Sequence, residues 1–202
     1  SCLVGSEMCI RDSLYPEELS ALPKNDGQAL EELIQSLTTI SVDSIESQLP
    51  LLKSLFSYRW AKARLAGTVG DKSLGEMQSQ FAALSIDKAL TAAWQLPAIQ
   101  KLLPKVHHGA AVIPGLFVLG LGKLGGKDLN YSSDVDLIAF YDPALLPIAS
   151  VHGRTDVCNR VLKSMTKMLN SAVNGHSVWR VDWRLSPNAS TMSMCMSTEI
   201  AE

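Results

Sequence analysis

The sequence contains no apolar run approaching the roughly 20 residues that a membrane-spanning helix requires, and nothing in it resembles a complete secretory signal. The expectation is a cytoplasmic protein without a membrane partner. An excess of either charge is missing as well, because 18 Lys and Arg face 20 Asp and Glu for a net charge of -2. Such a chain has no general attraction for polyanions, which argues against nucleic acid as a partner. Cysteine is scarce: Cys2, Cys9, Cys158 and Cys195 form no C-x-x-C pair and match neither a zinc site nor a disulfide framework. They read as reduced thiols. His107 and His108 are neighbours without a third ligand at a suitable spacing, so they read as an exposed loop.

What is present is globular composition, 47% apolar and 19% charged, in 202 residues, enough for one sizeable core or two small ones. Three segments are expected. Residues 1–13 show no periodicity, resemble translated sequencing-adapter sequence and are set apart as a non-native leader. Residues 14–108 read as a helical segment and residues 109–202 as a sheet-bearing core. The run Ser197-Thr198-Glu199-Ile200 looks like the first turn of a helix cut short, so a fragment truncated at the C-terminus is expected. The fold class expected is α+β.

In the helical segment, Asn25 or Asp26 can cap a helix carrying Leu30, Leu33, Ile34 and Leu37 at spacings of three and four. Pro50 suits the first turn of a second helix, which Gly67 and Gly70 end. Ser73 with Glu76 reads as a capping box for a third, lined by Met77, Phe81 and Leu84 and continuing past Leu90 to Trp94. Lys53, Arg59, Lys62 and Arg64 read as a solvated helix face, and the Met and Trp residues as core. Pro104, His107-His108-Gly109 and Pro114 mark a linker.

The chemistry concentrates between Leu116 and Asp142, a stretch that reads as an apolar strand, a glycine-rich turn, a polar connection and a second strand. Asp134 and Asp136 stand two apart, and a strand turns alternate side chains to one face. Two carboxylates on one face repel and are costly to desolvate, so a cation belongs between them. Their hard oxygens point to magnesium. Gly120-Leu121-Gly122-Lys123-Leu124-Gly125 matches the G-x-G-x-x-G dinucleotide pattern. The connection from Gly126 to Ser133 is against that fold, being too short and polar for a crossover helix. No Gly-Lys-Ser/Thr follows at a Walker A spacing. What survives is a glycine-rich loop whose backbone N–H groups, with Lys123, Ser132 and Ser133, can cradle a phosphate.

Beyond a loop with Pro143 and Pro147, a helix is expected from about Thr155 to Leu169. A strand then runs from Ser177 to Leu185, with Trp179, Val181, Trp183 and Leu185 facing one way and Arg180, Asp182 and Arg184 the other. By itself, an aspartate between two arginines is better read as a surface charge ladder. Combined with Asp134 and Asp136 on the same sheet face, Asp182 completes a three-carboxylate set suited to two magnesium ions and displacement at phosphorus. Arg180 and Arg184 would then lie beside the phosphates.

The run from Gly122 to Leu137, GKLGGKDLNYSSDVDL, resembles the signature of the glutamine synthetase adenylyltransferase/adenylyl-removing enzymes, within the DNA polymerase β-type nucleotidyltransferases. Arg180-Val181-Asp182-Trp183-Arg184-Leu185 followed by Pro187 is similar to that family's second motif, and Leu52 to Leu90 looks like the helices before its catalytic sheet. Ser186 departs from the pattern, where an arginine usually precedes the proline. The resemblance implies a polymerase β-type sheet with a crossover helix, truncated here. It implies Asp134, Asp136 and Asp182 as metal ligands and Gly125 and Gly126 in the nucleotide-phosphate loop.

Family members carry two catalytic halves, one adding AMP from ATP to a tyrosine of glutamine synthetase, the other removing it by phosphorolysis to give ADP. The wording Leu129-Asn130-Tyr131-Ser132-Ser133-Asp134 is more similar to the removing half, the adenylylating half being the alternative. The resemblance implies Mg2+, with ATP or ADP and phosphate as substrate or product, and as partners glutamine synthetase and a PII-type nitrogen-signalling protein. A reading of another class is a silent fragment that only docks one of those partners.

Overall fold

The computed structural model describes residues 25–105, 113–148, 150–173, 176–183 and 194–200. The leader, the His107-His108 loop, Cys2, Cys9, Arg184 and Ser186 lie outside them. Helix α1 (Asp26–Thr39) starts from Asn25, whose side-chain oxygen accepts hydrogen bonds from the N–H groups of Gly27 and Gln28. A 3-10 turn at Val42–Ser44 leads into α2 (Ile45–Ala66), which Gly67 closes. Because α2 begins at Ile45, Pro50 lies inside the helix, not in its first turn as the sequence suggested. Helix α3 (Asp71–Gln95) follows Gly70 without a side-chain cap, so Ser73 and Glu76 sit inside it and form no capping box. The four-residue α4 (Pro97–Gln100) ends the helical part.

The basic residues of α2 correct a second expectation. Arg59 is buried and Lys62 half-exposed, and both pair with the buried Asp26 of α1, at 3.4 and 2.8 Å, while Thr68 Oγ1 donates to its other oxygen at 3.0 Å. Arg64 does lie at the surface, beside Asp71. Lys53 points its ammonium inward. Helical periodicity could not reveal this, because the carboxylate that draws Arg59 inward belongs to another helix.

Burial by itself would raise the pKa of Asp26. The hydrogen bonds from Lys62 and Thr68, the charge of Lys62 and the hydrogen bond from Arg59 outweigh it and hold the carboxyl below its ordinary value of 3.8. A carboxyl depressed in the folded state contributes stability that is present above its unfolded pKa and is lost as pH falls through the folded one. Acid titration followed by circular dichroism should therefore show a shallower acid limb in Asp26→Asn than in the wild type. An identical limb would remove Asp26 from the account of acid stability.

Strand β1 (Leu116–Gly120) pairs antiparallel with β2 (Val135–Tyr141), from Leu116 opposite Tyr141 to Gly120 opposite Leu137. Only a short helix, α5 (Gly122–Gly125), and a polar loop intervene. Direct antiparallel pairing without a crossover is incompatible with the dinucleotide-binding topology. Helix α6 (Val151–Leu169), one turn longer at its start than expected, carries the chain back across the sheet. A two-residue hairpin follows, β3 (Ala172–Val173) with β4 (His176–Ser177), and then β5 (Val181–Asp182) and β6 (Cys195–Ser197) pair parallel with β2. The expected strand over 177–185 is thus divided: its first residue belongs to β4, among the described residues only Val181–Asp182 join the main sheet, and 184–185 lie outside the described residues. Thr198–Ile200 form a 3-10 turn.

Helices and sheet share one hydrophobic cluster, in which Phe56, Phe81, Trp94, Leu129, Leu137 and Leu162 are buried together. Alternation explains the sheet's share: Val135, Leu137, Ala139 and Tyr141 face the helices, while Asp136 and Phe140 face away and are half-buried. Cys158 and Cys195 are buried, and neither forms a disulfide among the described residues. Among the described residues no helix is long and apolar enough to cross a membrane.

Candidate active site

The parallel pairing of β2 with β5 sets Asp136 opposite Asp182 and Val135 opposite Val181, and the Val135 N–H donates to the Arg180 carbonyl at 2.9 Å. Residues opposite one another in a ladder share a face. Asp136 and Asp182 are therefore neighbours away from the helices, with Asp134 two residues upstream on the same side. Both Asp136 and Asp182 are half-buried.

Asp134 Oδ1 lies 2.6 Å from Arg180 Nε. That oxygen is shielded from solvent, yet the contact lacks the alignment of a hydrogen bond. The same guanidinium donates from Nη2 to the Ser132 carbonyl at 3.1 Å. Arg180 therefore turns toward the carboxylates and supplies a counter-charge at Asp134. With the Arg180 side chain 67% exposed and that of Asp134 41% exposed, such a pair contributes only about 0–1 kcal/mol, so it can exchange for another cation at little cost. Among the described residues, no three His, Cys, Asp or Glu side chains are gathered closely enough to hold a metal ion.

The glycine turn packs against Asp136. Leu121 donates its N–H to the Asp136 carbonyl at 2.9 Å, and Gly122 follows with φ +52°. A Cβ on Gly122 would stand 2.8 Å from Asp136 Oδ2, and one on Gly125 would stand 2.6 Å from the Gly120 carbonyl oxygen. Gly122→Ala should lower stability by about 1–2 kcal/mol through the left-handed backbone and displace the Asp136 carboxylate. A thermal melt with a turnover assay checks it, and unchanged turnover would separate this glycine from the site. Lys123, Gly125, Gly126 and Ser132 are exposed. The Ser133 hydroxyl accepts from the Asn130 N–H at 3.3 Å, which closes the turn before Asp134.

Helix α3 anchors the loop between the glycine turn and Asp134, through residues that sequence reasoning passed over. Ser79 Oγ accepts from the Leu129 N–H at 3.1 Å, Gln78 Nε2 donates to the Tyr131 carbonyl at 3.4 Å, and Gly75 lies against Asp128. Small and polar residues at 75, 78 and 79, on the buried face of an otherwise apolar helix, were the available signal. At the other end, Trp183 Nε1 donates to Thr166 Oγ1 of α6 at 3.2 Å.

A family model described as glutamate-ammonia ligase adenylyltransferase matches residues 7–202, beginning within the stretch set apart as a leader. Relatives named bifunctional glutamine synthetase adenylyltransferase/adenylyl-removing enzyme include one from Bradyrhizobium sp. (strain BTAi1 / ATCC BAA-1182), 42% identical over 43% of this chain and 9% of the relative. A Caulobacter vibrioides relative is 34% identical over 61% of this chain and 13% of its own length. One from Pseudomonas putida is 27% identical over 94% of this chain and 21% of the relative. The chain thus spans about a fifth or less of the relatives it matches. With a family model matched along nearly its whole length, the chain belongs to the glutamate-ammonia ligase adenylyltransferase family.

Proposed function

We propose that the chain carries a polymerase β-type nucleotidyltransferase site that acts on glutamine synthetase and removes its adenylyl group by phosphorolysis, releasing ADP. The observation that carries this reading is the register of Asp136 with Asp182, beside a glycine turn that leaves room for the Asp136 carboxylate. Phosphoryl chemistry of this kind needs alignment and charge neutralisation and no protein nucleophile. Phosphate attacks the adenylyl phosphorus in line, and the tyrosine oxygen leaves.

In chemistry the three carboxylates suit a divalent cation, and in this structure they are not gathered about one point, so binding would draw them together. Asp134 Oδ1 is shielded and accepts no hydrogen bond, and its one described counter-charge is an exposed arginine. Asp134, Asp136 and Asp182 would hold magnesium, which when bound neutralises phosphate charge and favours the attacking oxygen. Lys123, Gly122, Gly125, Gly126, Ser132 and Ser133 would border the phosphates. Arg180, once released from Asp134, is free to bind a phosphate oxygen, and Arg184 would add a second cation. The removing direction rests on the wording of 129–134. A PII-type protein is the proposed regulator.

The test is incubation of the purified chain with adenylylated glutamine synthetase, phosphate and magnesium, with a parallel tube for AMP incorporation from ATP. ADP release supports the reading. Incorporation alone assigns the chain to the adenylylating half, and silence in both tubes favours a docking fragment.

A further inference from the structure

Lys53 is the residue of the interior that the proposed chemistry leaves unused. The residue is half-buried, but its Nζ is shielded and has no hydrogen-bond partner among the described residues. This inverts the usual arrangement, in which a lysine buries its stem and keeps the ammonium in water. The head lies 3.5 Å from the centroid of the Trp179 ring and 5.9 Å from that of Phe81. An ammonium over an indole face is held by the ring quadrupole, and desolvation strengthens the attraction.

Trp179 is buried and tilted against Phe81, with ring centroids 6.4 Å apart, and its backbone N–H donates to the Leu169 carbonyl at 2.8 Å. It immediately precedes Arg180, whose carbonyl starts the ladder with β2, and stands three residues before Asp182. We propose that Lys53 is a positioning residue for β5: its ammonium, pressed on the Trp179 indole, fixes the segment that carries Arg180 and Asp182, and its proton sets how firmly that segment is held. The link to catalysis rests on the reading of Asp136 and Asp182 as the site.

Two acidic side chains of the helices packed against α2 are held by other cations. From α1, Asp26 is committed to Arg59 and Lys62, and from α3, Asp71 is committed to Arg64. Arg180 turns to Asp134 and Ser132. Burial is the cause acting on the ammonium, and it pushes the pKa down to about 7. Lys53 is then charged below neutrality and uncharged above it, and the cation–π contact goes with the charge.

The experiment is 19F NMR of the full chain labelled with 5-fluorotryptophan, the Trp179 resonance being assigned from Trp179→Phe, with 15N spectra of Val181 and Asp182, from pH 5.5 to 9. The Trp179 resonance and both amides should move together with a midpoint near 7 in the wild type. The transition should vanish in Lys53→Met, and Lys53→Arg, which keeps its charge, should hold the low-pH position throughout. A Trp179 resonance that does not titrate, or one that still titrates in Lys53→Met, overturns the proposal. Titration of Trp179 with stationary Val181 and Asp182 amides overturns the positioning role. None of these readouts needs turnover, so failure here leaves the assignment of the carboxylates to its own test.

Discussion

Under the proposed function, Asp136→Asn is expected to reduce adenylyl removal by about a thousandfold or more while the fold survives. The side chain is half-buried on the face turned away from the helices, and the ladder bonds of β2 come from its backbone. Asparagine keeps the volume and loses the charge. A metal ligand's contribution to charge stabilisation is several kcal/mol, and each 1.36 kcal/mol is about a tenfold change in rate. Matching far-ultraviolet circular dichroism and melting temperature, with turnover gone, is the expected pair of results. Retention of more than a few per cent of turnover would remove Asp136 from the metal site.

Phe81→Ala should be strongly destabilising, by about 3–5 kcal/mol. Phe81 is fully buried on α3, stacked on Phe56 of α2 at 4.3 Å between centroids, and it faces Trp179 on its other side. The alanine leaves a cavity where α2, α3 and the approach to β5 meet, and the rings around it lose packing contacts that cannot be recovered without backbone movement. Urea unfolding measures the loss, and a change below about 1 kcal/mol would mean the site collapses freely. Phe56→Ala combined with Phe81→Ala should cost less than the sum, because both remove the same contact.

The parts legible in the sequence were those governed by local rules. Period two anticipated the outward face of Asp136, although Asp134 stands just before β2, and the short polar connection after Gly125 excluded a crossover, as the antiparallel pairing of β1 with β2 shows. Spacings of three and four found the buried face of α1 and, in α3, Phe81 and Trp94, whereas Met77, Leu84 and Leu90 are only half-buried and the buried face runs through Leu74, Gln78 and Ala82. What the sequence did not disclose depended on partners distant along the chain. Arg59 and Lys53 resemble surface cations until Asp26 and Trp179 are brought against them. Ser73 and Glu76 satisfy a capping pattern, but the chain enters the helix earlier, at Asp71. The alternation from Ser177 to Leu185 is present in the sequence, yet among the described residues only Val181 and Asp182 pair with β2, and Ser177 pairs in the separate β3–β4 hairpin. Of the candidate site, the strand placement of Asp136 and Asp182 was legible; the Arg180–Asp134 pair and the anchoring of the loop by Gln78 and Ser79 were not.

The most direct test of the central claim, that three carboxylates on one sheet face bind the catalytic cation, is magnesium titration calorimetry on the wild type, Asp134→Asn, Asp136→Asn and Asp182→Asn. The account predicts saturable binding by the wild type and its loss in each variant with the fold retained. Equal binding by all four proteins, or none by the folded wild type, would contradict it.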